Sequence, residues 1–230
     1  MKKFIRFVFY FSVSLFLGFI IYLCYLRPYH LEYEVKSSDR YQTKLNKIQN
    51  ENLYNCSLIL LGDSRFTKVK CDFLKEINLS IGGETSKTMY ERCKKYKFRD
   101  SIKVVLCIGL NDVLFSYKYK AIIKNMKLLI NQLLSKTYFS NFYICKILPI
   151  NSSGFFYKKN EVNYTINKIN SFLDSISFNR SNNKIDIIEF NEFININDEL
   201  DMKYSDDGIH INQNGIGIFN KYLRQKLKNE

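Results

Sequence analysis

The chain has 230 residues, of which 46% are hydrophobic, and carries a formal net charge of +13. That length suits one medium domain with a full core plus a small addition, and leaves no room for a second globular domain. The positive residues are spread singly rather than massed in a stripe, so nucleic acid is not an expected partner, and an anionic envelope surface fits them better.

The addition lies at the N-terminus. Phe7 to Leu26 is a run of twenty residues without a formal charge, preceded by Lys2, Lys3 and Arg6 and followed by Arg27-Pro28. About 20 apolar residues cross a bilayer as a helix. The basic flank keeps the N-terminus cytoplasmic and puts the rest of the chain outside it. A cleaved signal peptide would need a shorter apolar core and a small-x-small cleavage site, and a lipoprotein signal would need small residues before Cys24; neither pattern is present. Residues 1–30 are therefore read as an uncleaved signal-anchor in the cytoplasmic (inner) membrane. Residues 31–55, polar and charged with helix-compatible spacing at Tyr41, Leu45 and Ile48, are read as a stalk, and 56–230 as the compact domain.

Short β-branched runs at Ser57 to Leu61, Ile77 to Ile81, Lys103 to Ile108, Phe142 to Ile147 and Lys184 to Glu189 predict buried strands. Helical periodicity lies between and after them, at Thr85 to Tyr96, Lys118 to Leu134, Val162 to Ile176 and Gly215 to Leu227. Strands alternating with helices imply a three-layer α/β domain around a mainly parallel sheet. Ligands gather at the carboxyl ends of strands in such sheets, so the turns at Gly62 to Arg65, Gly82 to Thr85 and Gly109 to Val113 share one rim. Of six cysteines none forms a C-x-x-C pair; Cys56, Cys71 and Cys93 are the candidates for a disulfide in an oxidising compartment. With only His30 and His210 to join them, no metal site is expected.

The apolar run Ser57-Leu58-Ile59-Leu60-Leu61 stops at Gly62-Asp63-Ser64, a strand ending in a tight turn that presents a hydroxyl. His30 sits at the membrane flank, which leaves His210 as the imidazole available to take a serine proton. Asp207 stands three residues before His210 with Gly208 between them, a spacing that lets its carboxylate reach one ring nitrogen. Asp206 competes for the role, and spacing favours Asp207. Two further turns offer donors to an oxyanion: Asn78-Leu79-Ser80-Ile81-Gly82-Gly83, where a backbone N–H is unshielded, and Gly109-Leu110-Asn111-Asp112, where a side-chain amide follows a strand. Each turn also has an ordinary reading, as a plain Gly-Gly turn or a helix cap.

Gly-Asp-Ser, Asn-x-x-x-Gly-Gly, Gly-x-Asn-Asp and a late Asp-x-x-His, in that order, resemble the four blocks of the SGNH, or GDSL, hydrolases. The resemblance spans Leu58 to about Leu227. It implies a flavodoxin-like α/β/α sandwich with a five-stranded sheet and no metal or organic cofactor. It also implies a catalytic triad of Ser64, His210 and Asp207, with an oxyanion hole from the N–H groups of Ser64 and Gly83, Gly82 being the fallback, and the Asn111 amide. Arg65 departs from the Leu common after this block. It either holds an anionic group of the substrate or pairs with an acid such as Glu84, the second being the simpler reading. Arg65 and the segment Leu114 to Tyr119 are placed at the pocket border. The expected activity is hydrolysis of acyl esters, O-acetyl groups on an envelope glycan or lipid esters. The alternatives are an O-acyltransferase acting on an envelope polysaccharide and a non-catalytic envelope protein of the same fold.

Overall fold

Five strands form a wholly parallel sheet: β1 (Leu58–Gly62), β2 (Glu76–Asn78), β3 (Lys103–Cys107), β4 (Asn141–Cys145) and β5 (Ile185–Ile188), in the order β2-β1-β3-β4-β5. That order, with its reversal between β1 and β3, is that of flavodoxin-like sheets. The computed structural model describes residues 1–49, 51, 53–72, 74–98, 102–136, 141–154, 157–177 and 185–228; the expected strand start at Lys184 lies outside them.

The pleat divides the core into two layers. Ile59, Leu61, Val104, Leu106, Phe142 and Ile144 point to one face, and Leu58, Leu60, Val105, Tyr143 and Cys145 to the other. The first face is covered by α4 (Ser86–Cys93), α6 (Tyr119–Lys136) and α7 (Lys159–Ser177), which follow the short α5 (Leu110–Leu114) or flank it. Helix α6 buries Ile122, Met126, Leu129, Ile130 and Leu133, the spacing read in the sequence, and α7 buries Val162, Ile166, Ile169 and Leu173. The second face is closed by α8 (Gln213–Lys228) through Ile216, Phe219, Leu223 and Leu227, with the rings of Phe190 and Phe193 packed at a tilt against Phe219. Thr85 and Thr88 cap α4 reciprocally, and Asn212 caps α8 by accepting from Gly215 N at 3.1 Å.

The N-terminal run forms α1 (Lys2–Ile21), long and apolar enough to span a membrane, with no residue buried. A five-residue π-helical segment, Tyr22–Leu26, joins it to α2 (Arg27–Ser37), and α3 (Asp39–Gln49) follows. The segment expected to be a stalk is not a free spacer. Tyr41, Ile48 and Leu53 are buried in the same cluster as Ile59 and Leu61. Tyr41, Leu45 and Ile48 recur at helical spacing on one face, and such a face is stable only when covered. Helix α2 is held as well: Arg27 donates to Ser116 Oγ, Tyr117 donates to Glu32, and Lys87 pairs with Glu32 at 3.1 Å.

The disulfide expectation is corrected for Cys71. All three cysteines are buried, and Cys71 lies in the opposite core layer from Cys56 and Cys93, so the sheet separates it from both.

Candidate active site

The candidate site begins with a steric constraint at the end of β1. A β-carbon on Gly62 would come within 2.5 Å of Phe66 Cβ and 2.9 Å of the Cys107 carbonyl, so the chain can turn sharply there only without a side chain. Ser64 follows, half-buried, with its carbonyl accepting from Thr67 Oγ1 at 3.1 Å. The buried Asp63 beneath it accepts from Arg65 N at 3.0 Å. Burial raises the Asp63 carboxyl, the Arg65 charge opposes that rise, and the result is about 6.

Asp207 and His210 form a closed turn before α8. Asp207 Oδ2 meets His210 Nδ1 at 2.6 Å, while Oδ1 accepts the backbone N–H of Ile209 at 2.8 Å and of His210 at 2.6 Å. Desolvation pushes this carboxyl up, but hydrogen bonds from the His210 ring and from the two backbone N–H groups outweigh it and bring the group to about 2. The aspartate is thus an anion at any physiological pH, suited to steadying an imidazolium. Asp206 is engaged elsewhere, accepting from Asn212 Nδ2 at 3.1 Å. Gly208 has φ +73°, and a β-carbon there would strike the Asn151 carbonyl at 2.5 Å. His30, by contrast, lies on α2 against Tyr22 and Glu34.

The donor turns reach the same place. Ile81 N donates to the Gly62 carbonyl at 3.0 Å, which continues the β1–β2 pairing and draws Gly82 beside Ser64; a β-carbon on Gly82 would lie 3.6 Å from Ser64 Cβ. Gly83 has φ +79° and Gly109 φ +123°. Asn111 is 7% exposed, and its amide donates one hydrogen to the Glu84 carbonyl at 3.0 Å, which fixes the amide plane and leaves a second N–H free. Ser64, Gly82, Gly83, Asn111 and His210 all line one cavity of about 490 Å³.

Arg65 requires a correction. It is 4% exposed and lies outside the lining of that cavity, and it does not pair with Glu84. Its guanidinium donates to the carbonyls of Ile209 (2.6 Å), Leu148 (2.6 Å) and Pro149 (3.0 Å), joining the loop after β1 to the loop after β4 and to the residue before His210. Burial lowers its pKa to about 10, with Asp63 opposing. Glu84 is claimed by Arg92, whose Nε and Nη2 reach it at 2.7 and 2.6 Å. Burial works against the Arg92 charge, but Glu84 beside it holds the guanidinium above its ordinary value.

Two parts of the site were missed by the sequence reading. Asn78 braces the turn that carries Ser64, donating to the carbonyls of Phe66 and Val69 at 2.9 Å each. Its signal was present in the second block, where only the glycines were assigned. The larger omission is the cavity wall made by Val35 of α2, Ser38 at the junction, and Arg40, Tyr41 and Lys44 of α3. The apolar spacing of Tyr41, Leu45 and Ile48 was the available sign that this segment packs. Phe115, within the segment expected to border the pocket, does line it.

Residues 42–228 match the OSK domain. The chain belongs to the OSK domain family. Among solved structures, the OSK domain of Drosophila Oskar superposes with a TM-score of 0.61 at 15% identity, covering 84% of this chain and 98% of that one. A GDSL-like lipase from Bacteroides thetaiotaomicron gives 0.66 at 16% identity over 82% and 97%. The SGNH/GDSL resemblance is borne out, and with it the three-layer parallel α/β fold. In sequence, an N-acylneuraminate cytidylyltransferase of Streptococcus agalactiae is 24% identical over 186 residues, 80% of this chain. The chain spans 42% of that relative's length.

Proposed function

We propose that this OSK-family chain is a membrane-anchored serine esterase that hydrolyses short acyl esters outside the cytoplasm. The observation that carries the reading is the convergence of Ser64, Asn111, Gly82, Gly83 and the Asp207-oriented His210 on one cavity. With Nδ1 committed to Asp207, the nitrogen left for Ser64 is Nε2. His210 takes the Ser64 proton as Oγ attacks the ester carbonyl. The carbonyl π pair becomes an oxyanion, held by the Ser64 N–H, a glycine N–H of the 82–83 turn and the free Asn111 N–H. Collapse expels the alcohol, which leaves with the proton from His210 Nε2; water, deprotonated by the same nitrogen, then releases the acid from Ser64. Val35, Tyr41, Ile81 and Phe115 give the cavity an apolar wall against which the acyl group can pack.

Anchoring rests on α1, whose fully exposed apolar surface needs a bilayer or an equivalent cover. The test uses the full chain in neutral detergent with p-nitrophenyl acetate and a fluorophosphonate probe, wild type beside Ser64→Ala. Wild type should turn over the ester and take the label, and Ser64→Ala should do neither. Turnover that survives the substitution would reject Ser64 as nucleophile, and absence of both signals in wild type would reject the esterase reading.

A further inference from the structure

The half of the cavity wall contributed by α3 and by the turn after Ser64 is cationic. Arg40, Lys44 and Lys68 line it, and none of the lining residues is a carboxylate. Among the described residues none of the three makes an ion pair within 4.0 Å. Glu84 is committed to Arg92 and Asp207 to His210, while Glu51 acts on Lys44 only from beyond ion-pair distance and less strongly than burial or Lys47. Lys44 is half-buried, and its pKa is lowered by desolvation and then by Lys47. Arg40 stands over the glycine turn: a β-carbon on Gly82 would lie 3.9 Å from Arg40 Nη2 and 3.6 Å from Ser64 Cβ. A guanidinium thus sits about one small ligand's width from the candidate nucleophile, with two ammonium groups on the same wall.

Uncompensated cations around a concave site raise the local concentration of anions and repel cations, and a guanidinium adds paired donors matched to a carboxylate or phosphate. We infer that Arg40, Lys44 and Lys68 form an anion subsite beside Ser64, so that the ester this cavity accepts carries a carboxylate or phosphate on its alcohol part. The inference deepens the esterase reading and rests on it for turnover, though not for binding. Two of its three cations, Arg40 and Lys44, belong to α3, between the apolar helix and the sheet, so a helix that links the domain to α1 also takes part in selecting its ligand. The negative group can come from a sugar acid, a phosphosugar or a lipid headgroup, and the shared chemistry is the anion close to a short acyl ester.

Binding is measured first, on the full-length Ser64→Ala chain in neutral detergent, by calorimetry with O-acetylated glucuronic acid, O-acetylated glucose 6-phosphate and O-acetylated glucose. At least one charged ligand should bind about tenfold or more tightly than the neutral sugar, and the advantage should shrink as salt rises. The preference should fall about tenfold in Ser64→Ala/Arg40→Gln and in Ser64→Ala/Lys44→Gln/Lys68→Gln. Equal binding of charged and neutral sugars, no binding of either charged ligand, or a preference indifferent to these substitutions overturns the subsite. The carboxylate and phosphate arms separate those sources, and O-acetylglycerol 3-phosphate, titrated into the full-length Ser64→Ala chain, tests the headgroup: binding as tight as the charged sugars admits it, and binding no tighter than the neutral sugar excludes it. Wild-type turnover of p-nitrophenyl acetate is read separately, so a chain that binds acetylated glucuronic acid without hydrolysing any ester loses the esterase reading and keeps the subsite.

Discussion

Arg65 Nε donates to the carbonyl of Ile209 at 2.6 Å, so the residue after the candidate nucleophile holds the residue before the candidate base. The two are 144 positions apart in the chain. With Leu148 and Pro149 also accepting from the same guanidinium, three loops are fixed by one side chain.

Replacing it should therefore misplace His210 relative to Ser64. Arg65→Met leaves three carbonyls unpaired and Asp63 without its compensating charge, and should cost about 3–5 kcal/mol in stability. Arg65→Lys keeps the charge but can serve fewer carbonyls; it should lose kcat by roughly tenfold or more while KM for p-nitrophenyl acetate changes little. Urea denaturation and steady-state kinetics on both variants check this, and a wild-type kcat in Arg65→Lys would remove the positioning role.

Gly83 couples the second donor turn to α2. A β-carbon there would lie 2.6 Å from Val35 Cγ1, and φ is +79°. Gly83→Ala should cost about 2 kcal/mol from the left-handed backbone and the collision together. Adding Val35→Ala relieves the collision alone, so the double variant should recover part of the loss relative to Val35→Ala by itself. Thermal melts of the four proteins test the non-additivity, and strict additivity would show that α2 does not press on the turn.

Asp112 gives a pH signature. It accepts from Ser86 N at 2.8 Å and Ser86 Oγ at 2.5 Å, yet burial raises its carboxyl from 3.8 to about 7 against those bonds. Between these values the folded protein keeps a proton that the unfolded chain has released. Its contribution to stability is therefore undiminished below about pH 4, declines as pH rises through the window, and levels off above about 7. Asp112→Asn retains an acceptor for Ser86 N and a donor for Ser86 Oγ but carries no such proton. Unfolding free energies from urea titrations at pH 4 to 8 should fall more steeply in wild type than in the variant, by a few kcal/mol over the range at ~1.4 kcal/mol per unit. Parallel profiles would place the Asp112 carboxyl near its unfolded value.

The segment 31–55 is a structural part of the domain. A chain beginning at Arg27 keeps α2 and α3; one beginning at Cys56 uncovers the core beneath Tyr41, Ile48 and Leu53. At ~1.5–3 kcal/mol for each buried apolar side chain, the shorter chain should be less stable by roughly 5 kcal/mol. Equal denaturation midpoints for the two would restore the stalk.

The sequence by itself determined the elements and the short motifs at their ends. Strand runs such as Leu58 to Leu61, the three-and-four spacing of Ile122 to Leu133, and the Gly-Asp-Ser and Asp-x-x-His blocks depend on neighbours within a few positions, and those neighbours are legible in order. The pairing of Asp207 with His210 belongs to the same class, being set by a three-residue turn around Gly208. Only the tertiary structure decided the rest. Arg65 points to carbonyls 83, 84 and 144 positions away, Glu84 chooses Arg92 over Arg65, and Cys71 is divided from Cys56 and Cys93 by the sheet. The polar composition of 31–55 suggested a spacer because most of its side chains do face water. The few that do not, Tyr41 and Ile48 above all, are too sparse to name their partner, and it took the exposed edge of the core beside Ile59 and Leu61 to bring α3 down onto the cavity.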